Sequence, residues 1–84
     1  MYAVEFVPSA ARELGKLPPD VRPRIIRAID RLRFDPRPSS ARGLTGDRSG
    51  WRIRVGDYRI LYHVDDESQI VVIGRIAPRG RAYR

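Results

Sequence analysis

The chain has 84 residues, contains no cysteine and carries a formal net charge of +7. A chain of this length is expected to form one domain, so residues 1–84 form a single predicted unit. The absence of cysteine excludes disulfides and thiolate metal sites, and no apolar run approaches the roughly 18 residues of a membrane span. We therefore expect a cytoplasmic protein that needs no metal, no cofactor and no membrane.

Basic residues outnumber acidic ones by 17 to 10, and sixteen of the seventeen are arginine. The guanidinium group offers a rigid fork that matches phosphate, which favours nucleic acid as the partner. A GC-rich coding sequence would also convert lysine to arginine throughout a protein. Composition alone therefore does not decide whether the partner is a nucleic acid, and the positions of the arginines have to be considered.

The first half of the chain predicts one strand and two helices. Residues 2–7 alternate loosely between polar and apolar side chains, which predicts a strand that Pro8 ends. Ser9 is the predicted N-cap of a short helix that reaches about Leu17, where Pro18-Pro19 breaks the chain.

A second helix is predicted to follow Asp20, which is a good N-cap residue. Its apolar side chains recur at helical spacing, at Val21, Ile25, Ala28, Ile29 and Leu32. The pattern stops before Asp35-Pro36, so the helix is expected to end there.

The second half predicts a loop and three strands. Residues 36–50 are rich in Pro, Ser, Gly and Arg and predict a surface loop, and residues 51–62 predict a hairpin. After an acidic turn at 65–68, residues 69–77 are almost continuously apolar, which is typical of an internal strand. The order β-α-α-β-β-β predicts an α+β fold in which two helices pack on one face of a small, mainly antiparallel four-stranded sheet.

The hairpin places arginines opposite each other. Gly56-Asp57 predicts a two-residue turn, which pairs Arg54 with Arg59 and sends Arg52 and Leu61 to the same face of the sheet. Like charges across a strand pair destabilise by roughly 0.2 to 1 kcal/mol, so packing alone would not select them. Two interpretations stay open: an anion-binding site, or ordinary exposed strands whose arginines are paired by acidic side chains from elsewhere. The opposite face is predicted to hold core residues: Trp51, Ile53, Val55, Tyr58, Ile60 and Tyr62.

The C-terminal segment is basic and contains no acidic residue after Glu67. Its arginines either complete a cationic rim beside the hairpin or belong to a solvated end. Tyr83 is the aromatic residue of this segment and either stacks on a base, takes part in proton transfer, or anchors the chain end. The arginines concerned are Arg75, Arg79, Arg81 and Arg84.

Two further candidates receive structural interpretations. His63 has a side chain with a pKa near neutrality, but it lies far from the turn and is predicted to be a peripheral contact rather than a catalytic residue. The carboxylates of residues 65–67 are interpreted as solvated turn residues rather than as a metal site.

Segments 6–14, 17–19, 51–62 and 79–83 together resemble the RelE/ParE toxin superfamily, specifically its RelE-like branch. Members of this family are small toxins of bacterial type II toxin-antitoxin pairs. The resemblance implies an mRNA endonuclease that depends on the ribosome and cuts in the A site. In such a reaction a ribose 2′-hydroxyl attacks the neighbouring phosphate and forms a 2′,3′-cyclic phosphate without a metal.

The same resemblance implies roles for individual residues. Arg59 and Arg79 would stabilise the phosphate and the transition state, while Arg52 and Arg54 would position the mRNA backbone. Arg81 is a further RNA-binding candidate. The third catalytic candidate, Tyr83, would stack on a base or transfer a proton.

The chain departs from the pattern of the family it resembles at two places. Some well-known members have lysine where Arg52 and Arg54 stand, and arginine is a poor proton acceptor because its pKa exceeds about 12. Many relatives also have Gly-His-Arg-Arg where this chain has Ala77-Pro-Arg-Gly80. The general base and the codon preference therefore stay open.

The resemblance also implies partners, namely a cognate acidic antitoxin, the ribosome with its mRNA, and possible operator DNA through the toxin-antitoxin complex. Two alternative functions remain at this point. One is a non-enzymatic inhibitor of DNA gyrase like the ParE branch, and the other is an inactive relative that retains antitoxin binding.

Overall fold

The computed structural model describes residues 1–79, with the backbone alone for residues 47 and 48. The helices are α1 (Pro8–Gly15) and α2 (Arg22–Leu32). The strands are β1 (Ala3–Phe6), β2 (Arg42–Leu44), β3 (Asp47–Val55), β4 (Tyr58–Asp65) and β5 (Ile70–Pro78). They form one sheet in the order β1-β5-β4-β3-β2, and β1 is parallel to β5 while the other pairs are antiparallel. The predicted α+β architecture is confirmed.

The core lies between the helices and one face of the sheet. Ile25, Ile29 and Leu32 of α2 are buried, as are Ile60 and Tyr62 of β4. These side chains belong to one continuous cluster, because the helical spacing of α2 and the alternation of β4 each direct a single apolar stripe to the same layer. The helices therefore cover one face of the sheet, as predicted, and leave the arginine-bearing face on the other side.

The sheet has five strands, so the prediction of four was wrong. The additional strand, β2, comes from the segment 36–50 that was predicted to be a loop. It has three residues including Gly43, and no alternating apolar pattern marks it. It forms because β3 extends back to Asp47 and Gly46, at φ 79°, allows a tight turn between the two strands.

The predicted helix caps were also wrong. The N-cap of α1 is Val7 and that of α2 is Val21, and neither makes a side-chain capping hydrogen bond. The reason is local: the carbonyl of Pro18 accepts hydrogen bonds from the backbone of both Val21 and Arg22, at 3.0 Å each. The donor that a side chain of Asp20 would satisfy is therefore already satisfied by the backbone.

The long apolar strand β5 lies inside the sheet, between β1 and β4, as its composition predicts. The two faces of β5 have different surroundings. Val71 and Ile73 are fully buried on the helix side, whereas Val72 pairs with His63 and lies on the other face. The register shifts at Gly74, so Arg75 pairs with Leu61 on the arginine-bearing face.

Candidate nucleic-acid interface

The β3–β4 hairpin brings Arg54 and Arg59 directly opposite each other, as predicted. Val55 pairs with Tyr58 next to the turn, and Gly56 has φ 58°, which a tight two-residue turn requires. The alternation of both strands then directs the two arginines away from the helices. The arginine pair is therefore fixed by backbone geometry rather than by any attraction between the side chains.

Arg59 has confined surroundings. It lies on the middle strand, with Arg54 opposite on one side and Ala77 on the other. Its Nε and Nη1 atoms are buried and have no hydrogen-bond partner in the described part of the chain. A buried donor without a partner costs about 1 to 3 kcal/mol, and more when it is charged. Arg59 therefore holds buried donors that the described residues leave unsatisfied.

Arg52 lies two residues from Arg54 and is half-buried, as is its partner Leu61. On its other side it pairs with Arg42 of β2, which the sequence did not identify as part of the site. The guanidinium of Arg42 donates to the carbonyls of Ser39 and Ala41, at 3.0 Å each. The sheet therefore carries two cross-strand arginine pairs on neighbouring positions of the same face.

Arg79 is positioned next to the hairpin turn. Its backbone N–H donates to the carbonyl of Asp57 at 2.8 Å, just after β5 ends. Because Ala77 pairs with Arg59, this bond holds the Arg79 backbone close to the Arg54–Arg59 pair. The candidates Arg81 and Tyr83 lie outside the described residues, and so does Arg84.

Carboxylates of the described residues do not pair with the predicted site arginines. Ion pairs join Arg33 to Asp30, Arg37 to Asp66 and Arg75 to Glu13. Within residues 1–79 no ion pair involves the four arginines of the predicted site, and Arg54 instead donates from Nε to the carbonyl of Gly56 at 3.1 Å. This supports the anion-site interpretation of the hairpin. The site arginines are Arg52, Arg54, Arg59 and Arg79.

Arg75 does not belong with the basic tail, so its predicted place in a free cationic rim was wrong. It lies within β5, and its Nε is 3.4 Å from Oε2 of Glu13. The other oxygen of Glu13 accepts the backbone N–H of Ile76 at 2.9 Å. The physical reason is that β1 ends at Phe6, so α1 lies beside β5 from there on and supplies the missing acceptor. The contact spans 63 residues and leaves no signal in the sequence.

His63 and the acidic turn have peripheral places, as predicted. His63 lies four residues along β4 from Arg59, which is about 13 Å. Asp66 is bound by both nitrogens of the Arg37 fork, at 2.6 and 3.1 Å, and by the hydroxyl of Tyr2 at 2.6 Å. These hydrogen bonds lower the pKa of the Asp66 carboxyl, and the one from Arg37 has the largest effect. The turn is therefore tied to the loop after α2.

The aromatic residues of the hairpin belong to the core side. Tyr62 is fully buried and donates from its hydroxyl to the carbonyl of Pro36 at 2.8 Å. Burial raises its pKa to about 12. Trp51 is half-buried, and the guanidinium of Arg37 lies 5.6 Å from its ring centroid. Tyr62 belongs to the core cluster and Trp51 packs against it, which agrees with their predicted role in packing.

The sheet, the two helices on one side and the arginine face on the other define a small α+β fold with a cationic sheet face. The sequence model described as "ParE toxin of type II toxin-antitoxin system, parDE" matches residues 4–83. The chain therefore belongs to this family of toxins. Among the residues described, no helix is long and apolar enough to cross a membrane.

Particular relatives are RelE-like. The chain is 39% identical to Toxin RelG of Mycobacterium tuberculosis over 85 residues, covering 99% of this chain and 97% of that protein. It is similar to the archaeal RelE–RelB complex of Pyrococcus horikoshii OT3, with a TM-score of 0.83, 30% identity and coverage of 96% and 98%. For the intact RelBE toxin-antitoxin complex of E. coli the TM-score is 0.85 at 25% identity, covering 96% and 100%. The chain is thus a RelE-like toxin of a type II toxin-antitoxin system.

Proposed function

We propose that this toxin is a ribosome-dependent endonuclease that cuts mRNA in the A site and so inhibits translation in the cytoplasm. The observation that carries the proposal is the half-buried Arg59, whose Nε and Nη1 atoms are buried without a partner among the described residues and which lies opposite Arg54, near the Arg79 backbone. A phosphate group that displaces the groups covering these atoms would satisfy these donors. The relatives are RelE-like toxins, and the mRNA endonuclease activity that the resemblance to this branch implies favours mRNA as the source of that phosphate.

In the proposed reaction, the 2′-oxygen of a ribose forms a bond to the adjacent phosphorus and the bond to the 5′-oxygen of the next nucleotide breaks. The 2′-hydroxyl loses its proton and the leaving 5′-oxygen gains one, which yields a 2′,3′-cyclic phosphate. Negative charge grows on the phosphorus-bound oxygens in the transition state, where fixed guanidinium donors act most strongly. Arg59 and Arg79 would serve there.

The remaining candidates have supporting roles in this proposal. Arg52 and Arg54 would position the mRNA backbone, and Arg81 would add a further RNA contact. Tyr83 would stack on a base or transfer a proton. No described carboxylate makes an ion pair with Arg59, and the proton acceptor is to be identified by mutation.

A cognate acidic antitoxin would inhibit the toxin by placing its carboxylates on these arginines, and the complex would be the species that binds operator DNA. The similar structures from P. horikoshii and E. coli are complexes of RelE with RelB, which supports an antitoxin partner. Such charge pairing should weaken as salt concentration rises.

Primer extension on transcripts from cells tests the proposal. Induced wild-type toxin should break translated mRNA with a spacing set by codons, whereas Arg59→Ala/Arg79→Ala should not. Equal breakage by both proteins would contradict the assigned mechanism. Harmless expression of the wild type without antitoxin would indicate an inactive relative.

A second candidate function is inhibition of DNA gyrase, which the family description as a ParE toxin favours. A supercoiling assay with purified gyrase separates the two. Loss of supercoiling activity with intact mRNA would select the gyrase function, and the reverse result would select mRNA cleavage.

A further inference from the structure

A second cationic site adjoins the arginine face and shares Arg54 with it, in a groove between α2 and β3. The groove has a volume of about 370 Å³, which falls in the range of roughly 300 to 1,000 Å³ that is usual for ligand sites. Four arginines line it and no carboxylate does, as far as the described residues show. They are Arg24, Arg27, Arg31 and Arg54.

The helix places three of these arginines on one side. Arg24, Arg27 and Arg31 are spaced three and four residues apart, so their side chains follow one another along the same face of α2. All three are exposed, and none makes an ion pair within residues 1–79. Like charges at this spacing destabilise a helix slightly, so the helix itself gains nothing from the arrangement.

The floor of the groove is apolar and its outer side is open. Ala28 and Leu32 of α2 and Ile53 and Val55 of β3 contribute to it. The strand β2 begins at Arg42, which pairs with Arg52. Among the described strands, residues 53–55 of β3 therefore have no neighbour on this side. A polymer with anionic groups along its backbone and flat apolar side groups would fit this surface, with the anionic groups on the arginines and the flat groups on the apolar floor.

The groove is continuous with the candidate cleavage site. Arg54 belongs to both, since it lines the groove and pairs with Arg59. The guanidinium of Arg24 lies against the hairpin turn, because a Cβ built on Gly56 would be 2.8 Å from its Nη2. The adjacent residue of that turn, Asp57, accepts the backbone N–H of Arg79.

We propose that the α2–β3 groove binds the phosphodiester backbone of the RNA strand that leaves the candidate cleavage site. This inference rests on the proposed function, because it takes the ligand of the arginine face to be RNA. Guanidinium forks suit both phosphates and carboxylates. The continuity with Arg59 and Arg79 favours RNA over an acidic peptide.

Fluorescence anisotropy with a labelled oligouridylate and the purified full chain tests the groove. Ser40 lines the groove and Ser39 does not, and both are exposed. Ser40→Glu should raise the Kd at least fivefold above that of Ser39→Glu, although both variants have the same net charge. Equal Kd values for the two variants would overturn the proposal.

A second pair of variants removes charge instead of adding it. Arg24→Gln/Arg31→Gln should weaken binding about tenfold and reduce the slope of log K against log salt by about 1 to 1.5, since each phosphate contact on a single strand contributes about 0.7. The matched control is Arg12→Gln/Lys16→Gln, which removes two exposed charges from the α1 region. Identical slopes for the two variants would also overturn the proposal.

The outcomes separate the groove from the cleavage function. If the groove variants bind oligouridylate as tightly as their controls while transcript cleavage still depends on Arg59, the groove proposal alone is overturned. Groove-dependent RNA binding in a toxin that cuts no transcript supports the groove and rejects the cleavage function. If the groove variants lose binding of a labelled hexaglutamate peptide but keep that of oligouridylate, the groove serves an acidic peptide and the proposal fails.

Discussion

Arg54 and Arg59 lie directly opposite each other across the β3–β4 pair, on the side of the sheet that the helices do not cover. Two permanent positive charges in this relation repel each other, and Arg59 in addition buries two donor atoms that have no partner among the described residues. The native state therefore holds a local arrangement that costs free energy. The site should lose function, and not stability, when Arg59 is replaced.

The first prediction concerns the stability of Arg59 variants. Arg59→Leu should raise the free energy of unfolding by about 1 kcal/mol, because it removes unpaired buried donors and a like-charge contact. Arg54→Leu relieves the same repulsion but removes no buried unpaired donor, because Arg54 is exposed. It should therefore change the free energy of unfolding by less than about 0.5 kcal/mol. Urea denaturation measures both. A loss of more than about 1 kcal/mol in Arg59→Leu would show that the guanidinium is satisfied in solution.

The second prediction concerns Glu13, which joins α1 to β5. Glu13→Ala should lower the free energy of unfolding by about 1 to 3 kcal/mol, because the N–H of Ile76 loses its acceptor. Glu13→Gln keeps an oxygen acceptor and loses only the ion pair with Arg75, so it should lose less. The control is Glu67→Ala, an exposed carboxylate of the acidic turn. If Glu13→Ala and Glu67→Ala denature at the same urea concentration, the contact contributes nothing.

The third prediction concerns stability in acid. The pKa of Asp66 is lowered by hydrogen bonds from Arg37 and Tyr2, and that of Asp65 by hydrogen bonds from Ser68. A carboxyl whose pKa is lower in the folded state stabilises the fold above its unfolded pKa, near 3.9, and this contribution disappears as pH falls through the folded value.

The Tm of the wild type should consequently fall more steeply than that of Asp66→Asn below about pH 4. At neutral pH, Asp66→Asn should be less stable than the wild type, because it loses the ion pair with Arg37. Glu67→Gln is the control within the same turn. Parallel curves of Tm against pH for wild type and Asp66→Asn would contradict the role of Asp66.

The fourth prediction concerns stability in alkali. Burial raises the pKa of Tyr62 to about 12, so its neutral form is favoured in the folded state. The corresponding stability is complete below the unfolded pKa, near 10, and is lost as pH rises towards 12. Tyr62→Phe should be less stable at pH 7 by about 1 kcal/mol, since Pro36 loses a donor. It should also lose less stability between pH 9 and pH 11, and an unchanged alkaline dependence would contradict the assignment.

The hairpin was predictable from the sequence because its turn contains only two residues. Once Gly56-Asp57 is taken as the turn, every pair from Val55–Tyr58 to Trp51–Tyr62 follows without further information, and all of them occur. The internal place of β5 followed in the same way from its continuous apolar run. In both cases the signal is contained in neighbouring residues.

Features that depend on distant partners were not predictable. The strand β2 has no pattern of its own and exists because β3 is long enough to pair with it. Glu13 finds Ile76 only because β1 is short. The arginines of α2 give no sign in the sequence of the contacts they make: three of them line the groove, and Arg22 donates to the carbonyls of Leu14, Gly15 and Leu17.

The central claim is that the guanidinium of Arg59 stabilises the transition state of mRNA cleavage. Its most direct test is the single-turnover cleavage rate on purified ribosomes that carry a defined mRNA, compared between Arg59→Ala and the exposed control Arg12→Ala. Removing one such donor should slow cleavage about 100-fold or more, while the control should retain the wild-type rate. Cleavage by Arg59→Ala at the rate of the control would contradict the account.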